Sequence, residues 1–76
     1  MKFQIVDTVR ADTLESVERR IDQWNVQVKS VGLSPDDHLR PEVWEEINQD
    51  GEGNVQSHWF GGRVVLSEEA LAKIKL

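Results

Sequence analysis

The chain has 76 residues, a formal net charge of −5, no cysteine and 38% hydrophobic side chains, enough for one small core with little room for a deep catalytic pocket beside it. The absence of thiols excludes disulfides and thiolate metal sites and suits a reducing compartment. No apolar run approaches the roughly 20 residues that cross a bilayer, and a negative balance opposes phosphate binding, which draws its affinity from Lys and Arg. These features predict a single domain over residues 1–76, soluble and cytoplasmic, with Met1-Lys2-Phe3 leading into a strand pattern rather than a signal peptide.

In chain order, Lys2 to Val9 alternates as a strand does, with Phe3 and Ile5 on one face and Gln4 on the other. Asp12 to Val31 then predicts one long amphipathic helix. Its apolar residues Leu14, Val17, Ile21, Trp24, Val28 and Val31 recur at alternating steps of three and four, forming one stripe that needs a partner surface. Asp12 and Glu15 make an acidic capping box, and Gly32 stands where a left-handed stop belongs. Asn25 to Val28 alternates and could peel away as a strand, but Val28 and Val31 stay in phase with the stripe, which favours a continuous helix.

Ser34-Pro35-Asp36-Asp37 has the order of a helix start, which Pro41 cuts short. A second short helix is expected from Pro41 to Asn48, with Val43, Trp44 and Ile47 inside and Glu42, Glu45 and Glu46 outside. Asp50-Gly51-Glu52-Gly53-Asn54 is a turn by composition. Val55 to Phe60 and Arg63 to Leu66 then read as a hairpin turning at Gly61-Gly62, pairing Trp59 with Val64 and Ser57 with Leu66. Ser67, Glu68 and Glu69 open a final helix that carries Leu71 and Ile74 inward, with Lys73 and Lys75 near its negative end. The fold class is α+β: a small three-stranded, mostly antiparallel sheet in the order β-α-α-β-β-α, packed against one long amphipathic helix. A mainly helical unit with the hairpin as a wing is the alternative.

Charge is unevenly placed. Between Asp36 and Glu52 there are seven acids and one base, Arg40, so this span carries −6 and the remainder +1. Asp36, Asp37, Glu42, Glu45, Glu46, Asp50 and Glu52 therefore form a candidate docking segment for a basic partner, and Trp44 or Phe60 a candidate aromatic anchor. That reading requires the carboxylates to lie together and accessible; internal neutralisation by arginines and lysines, or dispersal around the molecule's perimeter, overturns the docking role of the segment as a whole.

Asn48 to Val55 resembles the first eight positions of an EF-hand calcium loop, with oxygen-bearing side chains at one, three and five, glycine at six and an aliphatic residue at eight. The resemblance ends there: Trp59 stands where the family has a bidentate glutamate, Asn48 stands at the first position, and Gly61-Gly62 opposes the exiting helix. His38 and His58 lack metal-ligand spacing, and Glu45 beside Glu46 on an exposed element lacks the desolvation that acid–base chemistry needs. Neither a catalytic residue nor a cofactor or metal is expected.

The favoured function is a non-enzymatic protein-interaction module whose acidic surface docks on a basic partner, for example a small phage-type inhibitor of a nucleic-acid-binding protein. The alternatives are a small winged-helix or excisionase-like DNA-binding protein, suggested by Gly61 to Leu71, and a degenerate EF-hand-like calcium module. The heptad-like stripe also permits a homodimer through paired helices.

Overall fold

A computed structural model of the chain describes residues 2–74. Strand β1 (Phe3–Ala11) leads into helix α1 (Leu14–Ser30), a single helical turn α2 (Pro35–His38), strands β2 (Leu39–Gln49) and β3 (Val55–Ser67), and helix α3 (Glu68–Ile74). The sheet is antiparallel throughout, in the order β1-β3-β2. The small α+β architecture is thus as expected, with the last strand at its centre.

Helix α1 forms where the stripe predicts. Thr13, rather than Asp12, caps it: Thr13 Oγ1 accepts the Ser16 amide at 3.2 Å. At the far end Gly32 adopts φ +84°, a backbone region that L side chains avoid. There the Leu33 amide donates to the Val28 carbonyl at 3.2 Å and the Gly32 amide to Lys29 at 3.0 Å, closing the helix in a Schellman arrangement. Val17, Ile21 and Val28 are buried with Leu39, Val64, Leu66 and Ala70, and Trp24 and Phe60 pack against them. Most of the stripe is covered by the chain's own sheet, with Leu14 at its start left exposed.

The structure corrects two expected elements. Pro41 to Asn48 is not a short helix but the greater part of β2. Val43, Trp44 and Ile47 fit a helical face, yet Arg40 cannot cap a helix at Pro41, while the thirteen residues of β3 offer a partner along the whole of β2. Proline is tolerated because β2 is an edge strand. Second, Gly61-Gly62 is not a turn. Neither glycine has positive φ, β3 runs straight through both, and the Trp59–Val64 and Ser57–Leu66 pairs do not form. The true hairpin turns at Asp50–Asn54, where Gly53 takes φ +88°.

Gly61 and Gly62 are there for space. They point to opposite faces of the central strand: a Cβ on Gly61 would run into the Trp44 indole, and one on Gly62 would run into Val17 Cγ1 and come within 3.0 Å of Val9 Cγ1. The helix closes on the sheet at one glycine, and Trp44 lies flat on the other.

Strand β1 pairs with β3 only as far as Ala11 opposite Phe60. Beyond that level β2 and β3 continue alone as a two-stranded arm to the turn, with Glu46 opposite Trp59 and Gln49 opposite Val55. The molecule accordingly measures 51 × 22 × 20 Å with a radius of gyration of 15.2 Å, against about 11 Å for a compact domain of this length. Gly62→Ala should lower stability by about 1–3 kcal/mol through overpacking. Gly51→Ala, which meets no atom within 4 Å, should change it by less than about 0.5 kcal/mol; urea unfolding followed by tryptophan fluorescence compares the two.

Candidate functional site

Register assigns every side chain of the hairpin to a face. Leu39, Pro41, Val43, Glu45 and Ile47 of β2 lie opposite Leu66, Val64, Gly62, Phe60 and His58 of β3, on the side that α1 packs against. Because β1 ends opposite Phe60 and α1 starts three residues later, the helix leaves the outer part of this side open. Val43 is 44% exposed, Ile47 48%, and Leu14 at the helix start 39%. Glu45 borders the gap, its Oε1 3.2 Å from His58 Nε2.

At the tip, the Asp50 carboxylate organises the turn. It accepts the Glu52 and Asn54 amides, both at 2.9 Å, and the side-chain amides of Asn54 and Gln56 at 3.3 and 3.1 Å. The backbone amides of Asn54 and Glu52 hold its pKa below the ordinary 3.8. These donors occupy the Asp50 oxygens, the third position of the calcium-loop resemblance, and β3 follows where an exiting helix would stand.

The opposite face of the sheet carries no helix. Arg40, Glu42, Trp44 and Glu46 of β2 share it with Trp59, Arg63 and Val65 of β3 and with Phe3, Ile5 and Arg10 of β1. Three guanidinium groups stack on three aromatic rings: Arg40 on Phe3 at 3.8 Å, Arg10 on Trp59 at 3.9 Å and Arg63 on Trp44 at 5.5 Å. Arg63 also meets Glu42 at 3.3 Å.

The nine residues predicted as a docking surface therefore do not form one patch. Asp36 and Asp37 sit on α2 against the C-terminal half of α1, where Asp36 borders a shallow groove with Asp22 and Lys29. Glu42, Trp44 and Glu46 belong to the open face, Glu45 to the helix side, and Asp50 and Glu52 to the tip, while Phe60 packs against the core. Glu42, Glu45 and Glu46 share a strand instead of the outside of a helix, and alternation separates Glu45 from the other two. Arg10, Arg40, Arg63 and Phe3 are not site candidates in the sequence, and Trp59 reads there only as core or a lone anchor. Reading residues 40–46 with period two would have placed Arg40, Glu42, Trp44 and Glu46 on one face.

His38 and Ser67 form the single buried polar pair among the described residues, with Nδ1 2.8 Å from Oγ. The spacing suits a nucleophile and its base, but Ser67 is fully enclosed, and its Oγ accepts the Ala70 amide at 3.1 Å. The hydroxyl keeps its proton and a second lone pair for His38 Nδ1, the direction following the imidazole tautomer, so the pair caps α3 and ties it to α2. Lys73 lies in the last turn of α3; Lys75 falls outside the described residues. Among the described residues no three His, Cys, Asp or Glu side chains converge as a metal site would require, and no helix is long and apolar enough to cross a membrane. No family model, curated protein or solved structure matches the chain.

The helix that frames the hairpin is pinned by Asp7. Its carboxylate accepts Arg20 Nε at 2.6 Å and Trp24 Nε1 at 2.9 Å. Burial pushes the Asp7 pKa up, but hydrogen bonds from Arg20 and Trp24, the Arg20 charge and the Thr8 amide outweigh it and hold the group below 3.8. A depressed carboxylate contributes stability above its unfolded pKa and loses it as pH falls through the folded value. Asp7→Asn should therefore cost about 1–2 kcal/mol at neutral pH, and the gap from wild type should close below about pH 4, as read from urea midpoints across pH.

Proposed function

We propose that the chain is a non-enzymatic interaction module that docks on a basic protein surface through the outer part of its β2–β3 hairpin. One observation carries this reading. From Pro41 to Gly62 the hairpin holds five acids and no Lys or Arg, so its −5 equals the net charge of the whole chain, and it projects beyond the helix-covered body. The helix side of the arm offers Glu45 beside exposed Val43 and Ile47, and the tip adds Asp50 and Glu52. Carboxylates of one sign steer the encounter, and desolvated aliphatic side chains hold it.

A surface that normally takes nucleic-acid phosphates is basic in the way this arm requires. The partner class is therefore a nucleic-acid-binding protein, and occupation of its phosphate sites would make the module an inhibitor. The winged DNA-binding alternative relied on a turn at Gly61-Gly62, and that segment is extended. For docking, Val43 and Ile47 take the place of Trp44 and Phe60 as apolar contacts, because Trp44 lies flat on Gly61 and Phe60 against the core.

Affinity capture from lysate of the source cells, with heparin as competitor, tests the reading. Captured protein should be displaced by heparin, reduced at least about tenfold by Glu45→Lys with Glu52→Lys and by Val43→Ser with Ile47→Ser, and unaffected by Asp36→Lys with Asp37→Lys. Capture that survives reversal of Glu45 and Glu52 in a variant with an unchanged urea midpoint would refute it.

A further inference from the structure

We infer that the open face of the sheet is covered by a second copy of this chain, the two sheets stacking face to face and antiparallel about a twofold axis. This surface lies on the other side of the hairpin from the docking surface proposed above, and the two stand or fall separately. The face is apolar beyond the needs of solubility: Ile5 is 56% exposed, and Phe3, Trp44, Trp59 and Val65 are only partly covered. Among the described residues the Trp59 indole N–H is the one enclosed side-chain donor or acceptor without a partner, a rarity in a finished interior.

Charge selects the occupant. Along β2 the face begins with Arg40, stacked on Phe3, and runs out along the arm to Glu46, so the two ends of this strand differ in sign; Arg63 and Glu42 pair between them, and Arg10 lies over Trp59 on the β1 side. Antiparallel stacking about a twofold axis lays the arm of each copy over the body of the other and brings each Glu46 towards the other copy's Arg40, an isologous and self-complementary contact. A nucleic-acid strand fits less well. It would use the three arginines but would meet Glu42 and Glu46 on the same face and a hairpin that carries the entire net charge.

The extent is adequate. Three strands about 4.8 Å apart over the body and two along the arm cover about 500 Å² per copy, so a dimer buries about 1,000 Å², the lower bound for a specific interface. Stacked sheets about 10 Å apart are an ordinary packing mode.

Sedimentation velocity on the full chain, from about 1 to about 500 μM, is the test. The expected result is a concentration-dependent monomer–dimer equilibrium. Arg40→Glu and Glu46→Arg should each weaken it at least about tenfold, and the double variant should recover to within about threefold of wild type. Ile5→Lys should abolish it while leaving unchanged the urea midpoint read at a concentration where wild type is itself monomeric, which separates loss of contact from loss of fold. A chain that stays monomeric throughout, or a charge-swapped double variant no better than the singles, overturns the proposal. Binding of a fluorescein-labelled single-stranded oligonucleotide that is lost in Arg40→Glu, with no dimer formed, would assign the face to nucleic acid instead.

Discussion

The architecture depends on how closely the helix on one side and the Trp44 indole on the other approach the central strand at two adjacent glycines. In the central strand, Gly62 admits Val17 of the helix and Val9 of the neighbouring strand, and Gly61 admits the flat of the Trp44 indole. One residue with a side chain at either place would push a layer outwards and loosen the contacts on that side. The requirement for extended backbone and absent side chains explains why β3 passes straight through a sequence that invites a bend. It also explains why β2, whose Trp44 covers Gly61, is a strand: glycine within a sheet is often compensated by an aromatic residue laid across it from the next strand.

The other contacts secure what this approach creates. Asp7 holds α1 at its middle through Arg20 and Trp24, the Gly32 stop returns the chain towards β2, and Ser67 links α3 to His38. All of these lie in the body. The arm has none of that support. It relies on ladder pairing, the Asp50 turn, an Asn48–Ser57 hydrogen bond of 2.8 Å and the exposed Glu45–His58 contact. Two strands without a hydrophobic layer are marginal in water, so the arm is the least stable part of the fold and the part most changed by a surface laid against it.

What the sequence revealed and what it hid divide along the range of the interactions. The long helix was legible because its stripe repeats five times within one segment, and the same holds for the Gly32 stop, the Asp50–Asn54 turn and the Ser67 cap, each set by neighbours in the chain. The hidden features rest on pairing across distance. Val43, Trp44 and Ile47 satisfy a helical and a strand pattern equally well, and only β3 decides between them. Gly61-Gly62 has the composition of a turn until the neighbours that need its emptiness are known. The acidic segment was visible as composition, but its division between two faces and a tip follows from alternation along β2, and the arginine–aromatic stacks join residues as far apart in sequence as Arg10 and Trp59.

That the central strand is the last of the three in chain order also bears on how the molecule forms. β1 and β2 do not touch as neighbours; each binds only to β3, and β1 must wait for partners some fifty to sixty residues downstream. A nascent chain can wind its helix early and zip the β2–β3 hairpin outwards from its turn as β3 appears, but β1 joins the sheet only when β3 is present to receive it. Completion of the sheet is therefore dominated by non-local closure of β1 on β3, the kind of pairing that proceeds slowly for a chain of modest size.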